Sequence, residues 1–192
     1  MKETKKVIVV SRSNDTLKVM KEVLPAHQFQ IIHSFATIAD TKKALRSRHC
    51  DLLIVQAPLK DEQGVRACLQ IKNALPIEIL LLVKADIYDQ VLYQCDDSGI
   101  CVLSLPCKKS MVYQSCSLLM MLAAQKRKYE AEIARLKQKM QNEKVINRAK
   151  LVLIEDYHWT EDQAHKYIEH AAMDTSKTKF EIARDILEGV TK

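Results

Sequence analysis

The sequence predicts an α/β domain, a doubly wound parallel sheet of five strands, followed by a helical tail. Five short apolar runs alternate with segments of helical spacing over the first 110 residues or so, the order of a sheet whose crossovers are helices. The central runs are continuously apolar, as strands covered on both faces are. Three glycines and four prolines in 192 residues are too few for the turns of an all-β chain. The strands are expected at VIVV (7–10), FQII (29–32), DLLIV (51–55), IEILLLV (77–83) and ICVLSL (100–105). Helices are expected at Asp15–Leu24, Ile38–Ser47, Gly64–Ala74 and Tyr88–Asp96. In this class of fold, sites lie outside the carboxyl ends of the strands.

Composition narrows the function. A chain that is 47% apolar can bury one or two cores. The net charge of +6 and pI near 8.9 are a mild invitation to an anionic partner. The six cysteines (Cys50, Cys68, Cys95, Cys101, Cys107, Cys116) form no CxxC, and no His stands at zinc-finger spacing from them. They read as reduced core thiols of a cytoplasmic protein. No run approaches the ~18 apolar residues of a membrane span, and the basic N-terminus carries an apolar run too short for a signal peptide. With no nucleophile–base pair, metal cluster or Gly-rich loop, an enzyme is not expected, and no cofactor is implied.

The pattern changes after Pro106. From Lys108 to about Ala172 there is neither glycine nor proline. Leu122, Tyr129, Ile133, Leu136 and Met140 follow spacings of 7, 4, 3 and 4, the second half of which is a heptad seam. A parallel coiled-coil dimer is expected; a long helix folding back on its own domain is the alternative. VINRAKLVLIEDY places Ile146, Ala149, Val152 and Leu153 on one stripe. Thr160, three residues before Gln163, opens a new helix with a capping box. Ser176 or Thr178 opens another, ending near Gly189. These are expected as three short helices in a small bundle.

Two family resemblances sit on these elements. DLLIVQAPLKDEQG and VLSLPCK resemble the receiver domain of bacterial two-component response regulators, over roughly residues 5–120, which implies a flavodoxin-like fold. In that family the third strand ends in a phosphate-accepting aspartate with glycine eight residues on. Gly64 stands at that offset from Gln56, so Gln56 occupies the acceptor position. Where the family has an acidic pair after the first strand, this chain has Ser11 and Arg12. Val83 stands where a Thr or Ser ends the fourth strand, and Leu105 where a Lys precedes Pro106. Mg²⁺ requires carboxylate oxygens, Arg12 would repel it, and a neutral amide is a poor nucleophile. The domain reads as a pseudo-receiver. Asp15, Asp61 and Asp86 are the acids left that could hold a metal weakly, and no metal site is expected.

The tail, over roughly 135–188, resembles the ANTAR domain, the RNA-binding module of bacterial antitermination regulators. Ile146, Ala149-Lys150 and the apolar Leu151–Ile154 match the family's first helix. Thr160, Glu161-Asp162, Ala164 and Tyr167 match its second, and Ala172-Met173 and Ala183 match its close. Leu151 departs from the glycine usual after Ala-Lys. Between Gln125 and Lys150 there are nine basic residues against three acids, an excess suited to salt-sensitive phosphate contact. Aromatic and polar side chains read unstacked RNA bases. The resemblance and this chemistry assign RNA contact to Arg148, Ala149, Lys150, Thr160, Gln163, His165 and Tyr167. Trp159 and Tyr157 are expected to pack at the helix junction, and His170 to be a surface residue.

The domains expected are thus 1–120 (pseudo-receiver), 121–145 (coiled-coil linker) and 135–192 (ANTAR, overlapping the end of the coil). Together they imply a homodimeric antitermination regulator that binds stem-loops of a leader transcript and prevents terminator formation. A regulatory protein is a further expected partner, at the pseudo-receiver. The alternative is a protein-interaction adaptor, in which the pseudo-receiver docks a partner and the tail only dimerises.

Overall fold

The computed structural model describes residues 4–59 and 64–189. Asp61 lies outside them. The strands are β1 (Lys5–Val10), β2 (Phe29–Phe35), β3 (Leu52–Gln56), β4 (Glu78–Lys84) and β5 (Ile100–Leu105). The helices are α1 (Asn14–Val23), α2 (Ile38–Leu45), α3 (Gly64–Ala74), α4 (Tyr88–Gln94), α5 (Lys109–Tyr157), α6 (Glu161–Thr175) and α7 (Lys179–Leu187). The strands pair in the order β2-β1-β3-β4-β5, and every ladder is parallel. This is the doubly wound architecture expected from the alternating pattern, with strand order 2-1-3-4-5.

The continuous apolar runs are explained by the two cores. On one face of the sheet, Ile8, Val10, Leu53, Val55, Ile79 and Leu81 pack against residues of α2, α3 and α4, among them Ile38, Ala67, Cys68 and Val91. On the other, Val7, Val9, Leu52, Ile54, Leu80 and Leu82 pack against Met20 of α1 and Val112, Cys116, Leu119 and Met120 of α5. Successive residues of a strand point to opposite faces, so a strand buried on both must be apolar throughout. Truncating one of these fully buried side chains, such as Ile54→Ala, removes contacts that typically contribute about 2–5 kcal/mol.

The chain divides into two compact units, Met1–Lys126 and Arg127–Lys192. In the second, Ala149 and Leu153 near the end of α5 pack with Ala164, Ile168 and Ala172 of α6 and Ile182, Ala183 and Ile186 of α7. The coil and the first bundle helix are therefore one 49-residue element, α5, rather than separate helices. No glycine or proline interrupts its backbone. The helix stops only before His158, which adopts a left-handed φ of 55°. Capping boxes at Thr160/Gln163 and Thr178/Glu181 then start α6 and α7.

None of the six cysteines is in a disulfide. Burial pushes the thiols of Cys50, Cys68 and Cys116 from 9.0 up to about 12. A thiol held protonated by the fold contributes stability below its unfolded pKa and loses it as pH rises toward the folded value. Stability is therefore expected to fall above about pH 9, read as a declining urea midpoint. In native protein, iodoacetamide should label the half-buried Cys101 and Cys107 before Cys50, Cys68 and Cys116, with mass spectrometry assigning the order.

Candidate functional site

At the carboxyl end of the sheet, three side chains from separate elements meet. Ser11 follows β1, Thr16 lies in the first turns of α1, and Gln56 ends β3. Ser11 Oγ lies 3.0 Å from Gln56 Oε1 and 3.0 Å from Thr16 Oγ1, so its single proton has two acceptors within reach. It accepts in turn from the backbone N–H of Ser13 at 3.1 Å. The Thr16 hydroxyl also donates to Gln56 Oε1. Ser13 caps α1 by accepting from Asp15 N, which fixes the loop carrying Ser11.

Val83, in β4, is fully buried in the sheet core. Leu105 ends β5 and is partly buried against the other core. Arg12 is exposed. Asp15 pairs with Lys18 at 3.4 Å, and Asp86 lies in the short 3₁₀ turn Ala85–Ile87. Gly64 opens α3 with its Cα against the loop after β3: a Cβ there would sit 3.3 Å from Cβ of Ala57. That close approach is a physical reason for glycine eight residues beyond Gln56.

In the second unit the outward face of α6 carries the polar groups. Gln163, Lys166, Tyr167 and His170, at helical spacings of 3, 1 and 3, line with Trp159 a cavity of about 530 Å³. Trp159 contacts Tyr167 edge-on with ring centroids 5.1 Å apart, and Tyr157 at 5.3 Å. Trp159 also packs against the bundle core. The junction role expected of Trp159 and Tyr157 and a cavity wall are thus the same ring.

Residues 134–187 match the ANTAR domain family. The chain carries this match in its helical tail. It is 24% identical over 169 residues to the transcriptional regulatory protein PdtaR of Mycobacterium tuberculosis, covering 88% of this chain and 82% of that one. Its first unit has the fold of receiver domains. The signal receiver domain of an HD domain-containing protein from Pseudomonas fluorescens Pf-5 superposes with a TM-score of 0.57 at 17% identity, over 64% of this chain and 99% of that one. A CheY-like receiver domain protein from Methanospirillum hungatei superposes at 0.58 with 10% identity, over 65% and 99%.

Within the ANTAR domain the residues singled out from the sequence fall into three groups. Ala149 is fully buried in the bundle core; it is not at the surface where contact with RNA was expected, because its small side chain is what lets α6 and α7 close on α5. Lys150 keeps only 14% of its side chain exposed and pairs with Glu161 at 3.2 Å, tying α5 to the start of α6. Arg148, Thr160, Gln163, His165 and Tyr167 reach the surface. His165 faces Glu169 at 3.6 Å and does not line the cavity with Tyr167 and Gln163. Lys166 and His170 do line it. Lys166 and His170 follow Gln163 at i+3 and i+7, the spacing of one helix face, and that was the signal in the sequence that could have found them.

Thr160 and Gln163 have structural duties. Gln163 Oε1 accepts from the backbone N–H of Thr160 at 2.8 Å and lies 3.2 Å from Thr160 Oγ1, while Gln163 N donates to Thr160 Oγ1 at 3.3 Å. Removing such a cap costs about 1 kcal/mol. Thr160→Ala is expected to speed hydrogen exchange of the first-turn amides of α6 about five-fold, leaving the β-sheet amides unchanged; equal exchange in both proteins would show that the cap contributes nothing.

Proposed function

We propose that this protein is a cytoplasmic RNA-binding antitermination regulator. It binds stem-loops of a leader transcript as a homodimer and keeps a competing terminator hairpin from forming. The observation that carries this reading is the ANTAR match at residues 134–187, with basic residues on the same helix both before the matched stretch and within it. Arg127, Lys128, Arg135, Lys137, Lys139, Lys144 and Arg148 lie on exposed positions of α5, and Arg135 is paired with Glu132 at 2.8 Å. An array of this kind supplies phosphate contact whose strength falls with salt.

Dimerisation is proposed through Leu122, Tyr129, Ile133, Leu136 and Met140, which are between 47% and 63% exposed. Exposed apolar residues at heptad spacing are what a second copy of the helix covers in a coiled coil. Two RNA-binding modules on one dimer raise effective concentration and multiply avidity ~10²–10⁴-fold. Leu136→Lys is therefore expected to weaken binding to a two-hairpin leader RNA far more than to a single hairpin, in filter binding across a salt series. Equal losses on both RNAs would remove the avidity argument. A flat salt dependence with no RNA retained would favour the adaptor reading, in which the receiver-type unit docks a protein.

The receiver-type unit is proposed to be a pseudo-receiver, regulated by a bound protein rather than by phosphorylation. The support is chemical. Gln56 is an amide, its carbonyl is engaged by Ser11 and Thr16, and neither Ser11 nor Arg12 offers a carboxylate to Mg²⁺. Incubation with acetyl phosphate and Mg²⁺ should yield no acid-stable, base-labile phosphoprotein, either for the natural chain or for Gln56→Asp. A phosphoprotein from the natural chain on a phosphate-affinity gel would overturn this part of the proposal.

A further inference from the structure

The cavity on α6 brings aromatic and polar side chains together. Two aromatic rings, Trp159 and Tyr167, stand at its wall, with an amide, an ammonium group and an imidazole around them. Tyr167 is 37% exposed, a large ring held partly open to solvent by its edge-on contact with Trp159. Aromatic surface beside cationic side chains is what receives an unstacked base flanked by phosphates.

The hydrogen-bonding groups of the cavity have a definite polarity. The oxygen of the Gln163 amide is engaged by the cap of α6, accepting from Thr160 N at 2.8 Å. Its NH₂ group is what remains for anything that enters. Lys166 donates one proton to Asp162 at 2.7 Å and, as an ammonium, retains two more donors. The groups whose role is fixed are thus donors. Of the two purines, guanine presents two adjacent acceptors, O6 and N7, on one edge; adenine presents a donor, N6, beside N7.

We infer that this cavity is a base-reading pocket that takes one splayed-out guanine of the target RNA, stacked on Tyr167 with Trp159 at its edge, and with O6 and N7 accepting from Gln163 and Lys166. The inference rests on the RNA-binding reading above and names the specificity element within it. Lys166 and His170 join the interface, and Thr160 acts as a positioning residue by orienting the Gln163 amide. His165 and Lys150, engaged with Glu169 and Glu161, contribute no base contact.

Trp159 is the only tryptophan of the chain, so its emission reports on the pocket directly. The full-length protein is titrated with three nonaribonucleotides: all uridine, and uridine with one central guanine or one central adenine. Binding is read by anisotropy of a 5′ label, and the pocket by Trp159 fluorescence. The guanine RNA is expected to bind about ten-fold more tightly than the adenine RNA and to quench Trp159. Tyr167→Ala should weaken binding of the guanine RNA about ten-fold, and that of the all-uridine RNA less, because uracil offers a smaller face to stack. Tyr167→Phe should keep it. Gln163→Glu preserves the capping box, since Glu serves equally at that position, but replaces the NH₂ donor; it should abolish the preference for guanine while the fold, followed by circular dichroism, is retained.

Equal affinity for guanine and adenine RNA, or salt-dependent RNA binding with unchanged Trp159 emission, would overturn the pocket and leave the RNA-binding reading standing. No binding of any of these RNAs, nor of a two-hairpin leader RNA, would remove both.

Discussion

Parallel pairing is the constraint from which the first unit follows. A parallel ladder cannot be closed by a tight turn, so each strand must be followed by a crossover, and the crossover helices cover both faces of the sheet. The sheet is then sealed from water on either side, which is why β3 reads Leu52-Leu53-Ile54-Val55 and turns polar only at its carboxyl end, Gln56. The same pairing sends every strand's carboxyl end to one edge. Ser11 and Gln56 are 45 residues apart in the chain, yet lie 3.0 Å from each other because β1 and β3 are adjacent and in register. The edge is assembled by the sheet whatever residues stand there. Side chains at that edge can thus change chemistry without disturbing the core beneath them.

Much of this was legible before any coordinates. The strands were readable because double-sided burial leaves an unbroken apolar run, and the starts of α6 and α7 because a capping box is a local device that writes itself into four residues. What was not legible depended on partners distant in sequence. Ala149 and Lys150 lie side by side in a basic stretch, and both were expected at the RNA surface. In the bundle Ala149 is enclosed by α6 and α7, and Lys150 is drawn to Glu161. A single helix's sequence cannot say which of its faces a later helix will cover. The fusion of the coil with the first bundle helix was missed for a related reason. The pattern of apolar residues changes along α5, from an exposed seam to a buried stripe, while the backbone has no reason to break.

The edge of the sheet shows what a receiver scaffold does with an amide at its centre. A carboxylate there, beside the uncharged Ser11 and Thr16 hydroxyls, would need a cation to balance it. The Gln56 carbonyl finds its partners in those two hydroxyls instead. Such a network resists the entry of water or metal, because displacing it means replacing several mutually supporting hydrogen bonds at once.

On the RNA-binding reading proposed above, charge and shape divide the work of recognition in the second unit. The basic residues of α5 act at a distance on any polyanion, and their contribution is eroded by salt alike for every sequence. They can bring RNA to the protein but cannot tell one base from another. Discrimination requires a place where a base leaves its stack and trades water for fixed donors, and the ring pair of Trp159 and Tyr167 with the oriented Gln163 amide has those properties. The capping box is what links stability to specificity here. By engaging the oxygen of Gln163 it starts α6, and in the same act it turns the amide's donor end outward. A residue can hold a helix end and read a base at once only because an amide has two chemically opposite ends.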